Sequence, residues 1–173
     1  MICPGCGGEL VSTKYEDYPV RRCSSCGGYW ISGEILLGII NARKEKIPAE
    51  ALAVARDWHS KTMPKKELPD ELVCPSCGKM LSRGVYGYDS GVVIDRCPAG
   101  CGVWLDKGEL VALQAFDEVW DKKSREVFEE KGLGAMLDEI ENEKDPETEV
   151  IRRGILGKTI IGRLADILVD FLE

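Results

Sequence analysis

The stretch CPGCGGELVSTKYEDYPVRRCSSCGGYW, residues 3–30, decides how this chain is read. It sets two Cys-x-x-Cys pairs, Cys3/Cys6 and Cys23/Cys26, sixteen residues apart. A tetrahedral zinc ion takes four thiolates at about 2.3 Å, and each Cys-x-x-Cys turn delivers two of them. The glycine that follows the second cysteine of a pair lets the backbone turn back at positive φ, with its amides toward the sulfurs. Two such knuckles joined by a β-hairpin make a zinc-held unit of about forty residues.

The pattern then recurs. CPGCGGEL at 3–10 matches CPSCGKML at 74–81, and VRRCSSCGGYWISGEI at 20–35 matches IDRCPAGCGVWLDKGEL at 94–110. The spacing from Cys26 to Glu34 equals that from Cys101 to Glu109, whereas Trp30 and Trp104 are offset by one when counted from the last cysteine. A duplicated unit is the economical explanation. All eight cysteines fall into the two copies: Cys3, Cys6, Cys23 and Cys26 for one ion, and Cys74, Cys77, Cys97 and Cys101 for a second. The turn glycines are Gly7, Gly27, Gly78 and Gly102. The last knuckle departs from the others, with three residues between Cys97 and Cys101, and Gly100 is placed to absorb the extra one. The other meaning of Cys-x-x-Cys is a redox pair, which opens a helix in a βαβ pattern. Here a glycine and a strand-like stretch follow Cys6 and Cys77, and every pair has a partner pair at metal spacing, so metal binding is preferred.

Residues 2–40 and 73–113 each resemble the zinc ribbon of the transcription-factor-IIB-type zinc-finger family. The resemblance rests on Cys-Pro-x-Cys-Gly, the following Leu, the second pair, and GVWLDKGEL, with Trp104, Leu105, Asp106, Gly108, Glu109 and Leu110 all matching. The first copy reads YWISGEI at that point. The resemblance implies four-thiolate zinc sites and no particular promoter-binding role.

Around the cysteines, LVSTKY and VVID alternate or are β-branched, with YEDYP and YGYDSG as turns. Each ribbon runs into a helix. Asp106 with Glu109 forms a capping-box pattern, and Ser32 is the expected cap of the first helix. PAEALAVARDWHSKT is expected to be a helix opened by Pro48, and SREVFEEKG and GAMLDEIENEK are expected to be helices broken by Gly132 and Gly134. A final helix is expected after Asp145 and Pro146. The expected architecture is a small zinc-dependent α+β chain. Its segments are 1–40 and 71–116 (two tandem ribbons of short antiparallel hairpins, each with a trailing helix), 41–70 (a helical linker) and 117–173 (a helical C-terminal region).

The formal charge of the 173-residue chain is −7. Residues 1–40 and 71–110 each carry −1, residues 41–70 carry +2, and residues 111–173 carry −7. Two divalent ions on eight thiolates would bring the total to about −11, because the ligands bind deprotonated. Phosphate polymers are normally met by a basic face, so nucleic acid is an unlikely partner on charge alone. No basic-then-apolar leader opens the chain, and its longest apolar stretch carries Lys158, Arg163, Asp166 and Asp170, so a cytoplasmic location away from membranes is expected.

Several residues admit a pointed and a plain reading. His59 has no second metal-type partner in the sequence and reads as a helix-surface residue. Trp30 and Trp104 read as packing over their own ribbon and the helix after it, in preference to a recognition patch. Arg21, Arg22, Arg83 and Arg96 lie among Glu16, Asp17, Asp89 and Asp95, which reads as a solvated mixed-charge face. From Val150 to Leu172 the polar residues form one narrow stripe on a wide apolar helix, expected to be core or a self-association element. No nucleophile-base set, phosphate-cradling loop or open metal vertex is visible. The expected function is that of a non-catalytic zinc-binding protein, an interaction module or adaptor with an unidentified protein partner. The alternative is a nucleic-acid-binding or transcription-related ribbon.

Overall fold

The computed structural model describes residues 1–42, 46–56, 71–86 and 90–135. His59, Asp89 and the apolar stretch 150–172 lie outside the described residues. The chain divides into two compact units, residues 1–116 and residues 117–173.

Strands β1 (Leu10–Tyr15), β2 (Tyr18–Cys23) and β3 (Tyr29–Ile31) lead into helix α1 (Gly33–Ala42). Helix α2 (Ala49–Arg56) follows. Then β4 (Ser82–Val85), β5 (Val93–Arg96) and β6 (Val103–Leu105) lead into α3 (Glu109–Glu130). The caps are those the sequence proposes. The Ile35 amide donates to Ser32 Oγ at 3.4 Å, and the Asp106 amide donates to Glu109 Oε2 at 2.7 Å. At α2, the amides of Ala51 and Leu52 donate to the carbonyl of Pro48.

The small zinc-ribbon α+β class is the one observed, but the two ribbons are not self-contained. The strand order is β1-β2-β3-β6-β5-β4, one six-stranded sheet in which the ribbons meet edge to edge. The junction is antiparallel, Tyr29 opposite Leu105, Trp30 opposite Trp104, and Ile31 opposite Val103. A three-strand hairpin unit has an unpaired edge and little apolar area. Joining two such edges pairs one edge of each unit and merges their apolar faces, leaving β1 and β4 as the outer strands.

Strand alternation then assigns each face its role. On one face Val20, Ile31, Ile94, Val103 and Leu105 pack with Leu36, Ile39 and Ile40 of α1 and with Leu110 and Leu113 of α3. On the other face Trp30 and Trp104 cluster with Leu10, Leu72, Leu81 and the buried cysteines. Helices therefore cover one side of the sheet, and the cysteine knuckles flank a tryptophan pair on the other.

The hairpin tip between β1 and β2 is a two-residue turn in which Glu16 (φ 47°) and Asp17 (φ 71°) are both left-handed. This geometry suits the strand twist but favours Gly and Asn, so each side chain here costs some strain. Glu16 is buried, not part of a solvated face, and accepts from Gln114 Nε2 at 2.8 Å. Gln114 Oε1 in turn accepts from the Tyr15 hydroxyl at 2.8 Å. One glutamine on α3 thus pins the tip of the first hairpin.

Helix α3 runs without interruption from Glu109 to Glu130, joining two stretches that the sequence suggested as separate helices. Nothing between them stops a helix, since residues 117–125 contain neither Gly nor Pro. Gly132 ends it at φ 72°, with Leu133 N–H to Phe128 O at 2.8 Å and Gly132 N–H to Glu129 O at 3.0 Å. That pair of bonds is a Schellman cap.

Candidate metal centres

Each ribbon brings its four cysteines together. The sulfurs of Cys3, Cys6, Cys23 and Cys26 lie within 4.8 Å of one another, as do those of Cys74, Cys77, Cys97 and Cys101. Sulfur–sulfur distances of 3.7 Å (Cys3–Cys26), 3.4 Å (Cys6–Cys23) and 3.5 Å (Cys77–Cys97) are far beyond a disulfide bond of about 2.05 Å. They are close to the ~3.8 Å edge of a tetrahedron with 2.3 Å zinc–thiolate bonds. The donor set and its size fit one zinc ion in each ribbon. In both clusters the first and third cysteines are buried and the second is exposed, the same arrangement twice.

The knuckles are built by backbone hydrogen bonds. Cys3, Cys23, Cys74 and Cys97 each donate an amide five residues ahead, to Gly8, Gly28, Lys79 and Gly102, at 2.7–2.9 Å. The amides of Ser76 and Cys77 reach Cys74 Sγ at 3.4 Å, and the Cys26 amide reaches Cys23 Sγ at 3.5 Å. Such bonds stabilise thiolate over thiol.

The odd knuckle is explained by this frame. Cys23 to Gly28 and Cys97 to Gly102 close turns of the same length, and Trp30 and Trp104 each stand seven residues past the first cysteine. No residue is inserted within the second turn. The left-handed glycine simply comes one place earlier, Gly100 (φ 76°) in place of Gly27 (φ 76°), and the ligand one place later. The extra residue of the second ribbon falls after the tryptophan, between Leu105 and the start of α3.

The tryptophans pack, and each reaches across the junction to the other ribbon, on the face of the sheet away from the helices. A methyl group on Gly5 would come 2.9 Å from the Trp104 ring, and one on Gly28 would come 2.5 Å from it. On the other side, a methyl group on Gly102 would come 3.0 Å from the Trp30 ring. Gly28 and Gly102 leave no room for a side chain, because a ring and a backbone carbonyl of the other ribbon lie against the backbone there. Trp104 also donates its indole N–H to Asp106 Oδ1 at 2.9 Å.

One row of facing residues crosses all six strands: Ser12, Arg21, Trp30, Trp104, Asp95 and Arg83. Asp95 is 2% exposed and accepts from Arg83 Nε at 2.8 Å, so it too is no part of a solvated face. Arg21 donates to Ser12 Oγ at 3.4 Å, and the Arg22 guanidinium sits 5.9 Å from the centre of the Tyr29 ring. Arg21 and Arg83 thus bond to neighbours in the row, while Arg22 and Arg96 are exposed. Sequence reasoning had no access to this row, because it depends on the β3–β6 register.

Without metal the thiols within a cluster share protons unequally. Burial pushes Cys23 up, but the amides of Cys26 and Ser25 and the neighbouring thiols outweigh it and lower Cys23 to about 6. At Cys97 burial is likewise outweighed, by the amides of Cys101 and Ala99, again down to about 6. Burial raises Cys3, Cys26 and Cys74. Cys101 is pushed up to about 12, chiefly because its proton is held in hydrogen bonds to Cys77 and Cys97. Each cluster therefore offers one ready thiolate, and a metal ion must displace protons from Cys3 and Cys26 in one and from Cys74 and Cys101 in the other.

Fold and site together define a zinc protein of two four-thiolate ribbons. Residues 2–42 and 73–115 both match the transcription factor zinc-finger family of the transcription-factor-IIB type, so the chain carries two copies of that ribbon. No curated protein and no solved structure gives a significant match to the chain.

Proposed function

We propose that the chain is a non-catalytic protein-interaction module whose two zinc ions are structural. Four thiolates close the coordination sphere of each ion and leave no vertex for water or substrate. The observation that carries this reading is the distribution of side chains around the ribbons. Apolar residues are exposed beside the knuckles, with Ile2 at 71%, Val73 at 49% and Met80 at 57%, while Arg21 and Arg83 bond to partners on neighbouring strands. Val73 faces Met80 across a β-bridge, so zinc holds an apolar pair rigidly in water. Exposed apolar groups on a rigid frame favour a protein partner, and pre-engaged arginines disfavour phosphate. Among the described residues no helix is long and apolar enough to cross a membrane. We place the protein in the cytoplasm, where free thiols persist, and assign self-association to residues 150–172.

The alternative, a nucleic-acid reader, keeps one specific support: Arg22 on β2 and Arg96 on β5 are exposed. A fluorescence-anisotropy titration with single- and double-stranded DNA and RNA at about 150 mM salt separates the two. Non-specific binders show constants of roughly 10⁻⁴–10⁻⁶ M under such conditions. The interaction-module reading expects nothing tighter. Sub-micromolar binding lost in an Arg22→Ala, Arg96→Ala variant would replace it with the nucleic-acid reading. Sedimentation of the full chain against one ending before Asp145 tests the self-association, which fails if both are monomers.

A further inference from the structure

Each ribbon rests on the part of the other that closes its metal knuckle. The carbonyl of Gly28 accepts the Cys23 amide at 2.8 Å, and the Trp104 ring lies against that same glycine. The carbonyl of Gly102 accepts the Cys97 amide at 2.9 Å, and the Trp30 ring lies against it. Close backbone contacts tie the two sides further. A methyl group on Gly28 would be 2.8 Å from the Leu105 carbonyl, and one on Gly102 would be 2.7 Å from the Ile31 carbonyl. Trp104 is 0% exposed and Trp30 is 5% exposed, so neither ring has a place in water when the other ribbon is formed.

A ribbon of this size does not hold its knuckles without metal. When one ion is absent, the turn that presents its glycine loosens, the opposing tryptophan loses its floor, and the β3–β6 junction opens. The ribbon that still holds metal then bears the exposure of a strand edge and an indole ring. We propose that the two zinc sites load and release metal as a cooperative pair, coupled through Trp30 and Trp104, each seated on the glycine that closes the other ribbon's knuckle. Linkage requires the coupling to be the same in both directions.

The test uses the full-length chain. Zinc affinity at the first site is measured by chelator competition in Cys77→Ser, which disables the second site, and at the second site in Cys6→Ser. Both should be weakened at least about tenfold relative to the wild-type pair, by a matching factor. A Cys77→Ser chain that no longer folds around the first ion is the extreme of the same coupling. Native mass spectrometry of wild-type protein at half saturation gives a second measure. Chains with one zinc should be about a quarter of the total for tenfold coupling, against about half for independent equal sites. Trp104→Phe should keep both ions and move that fraction back toward half. A first site that binds zinc in Cys77→Ser as tightly as in the wild type, or a one-zinc fraction that Trp104→Phe leaves unchanged, overturns the proposal.

Discussion

Ribbon 1 closes its second knuckle as Cys-x-x-Cys-Gly, and ribbon 2 closes the same turn as Cys-x-x-Gly-Cys. The hydrogen bond that shuts the turn, the tryptophan beyond it and the burial of the ligands are nevertheless alike. What a ribbon conserves between its copies is the backbone frame, within which ligand and glycine can exchange places. The hairpins differ more. Ribbon 1 has a two-residue turn strained at both positions and pinned by Gln114. Ribbon 2 has a longer one, in which Ser90 Oγ donates to the Tyr86 carbonyl and accepts from Val92 N–H. The same forty-residue plan therefore finds local support from two different sources.

Removing the metal tests what the two ribbons share. Structural zinc is worth on the order of 10–16 kcal/mol in finger peptides, comparable to the whole stability of a domain. Chelator should abolish the sheet, read by far-ultraviolet circular dichroism and tryptophan fluorescence, and metal analysis should find two zinc ions per chain. A sheet that survives complete metal loss would mean that its apolar burial suffices.

The tryptophans test how unequal the two sides are. Trp104→Ala should cost about 3–5 kcal/mol in urea unfolding, as for other large-to-small core changes. Trp30→Ala should cost less, because Trp104 is fully buried, meets both Gly5 and Gly28, and holds Asp106. Equal costs, or the reverse order, would dissolve that asymmetry.

Proton competition should look the same in both ribbons. Two thiols in each cluster, Cys3 with Cys26 and Cys74 with Cys101, are raised above their ordinary value and are protonated at neutral pH without metal. Zinc expels those protons, so apparent affinity should fall as pH falls, by at least about a hundredfold per pH unit at each site. Below about pH 6, Cys23 and Cys97 protonate as well, and the slope should steepen by about one proton per site. Competition titrations between pH 5 and 8 would show this. A flat profile near neutrality would mean that the thiols are already ionised.

Gln114→Ala acts on ribbon 1 alone. It removes a partner from both Tyr15 and Glu16 and should cost about 1–3 kcal/mol without changing zinc stoichiometry. The smallest effect is expected from exchanging Gly100 and Cys101, which writes the first ribbon's knuckle into the second. Zinc affinity should stay within about tenfold, or 1.4 kcal/mol. A larger loss would show that the two turns are less alike than their hydrogen bonds.

The sequence by itself determined the two metal sites. Ligands two or three residues apart on a turn, with a glycine beside them, are a local pattern. A four-thiolate cluster then needs only one hairpin to close, so Cys3, Cys6, Cys23, Cys26 and their counterparts were legible without coordinates. The helix starts at Ser32 and Asp106 were legible for the same reason, since a cap satisfies amides within one turn. The joining of the ribbons was not legible. It rests on Trp30 facing Trp104, two residues 74 positions apart, in a register that only the pairing of two bare strand edges selects. The same pairing joins the row Ser12–Arg21–Trp30 of one ribbon to Trp104–Asp95–Arg83 of the other, and seats each indole ring on the other ribbon's glycine. Those contacts belong to no local pattern. The tertiary structure decided them because a forty-residue ribbon leaves an edge and a tryptophan uncovered, and the nearest surface able to cover both is its own duplicate.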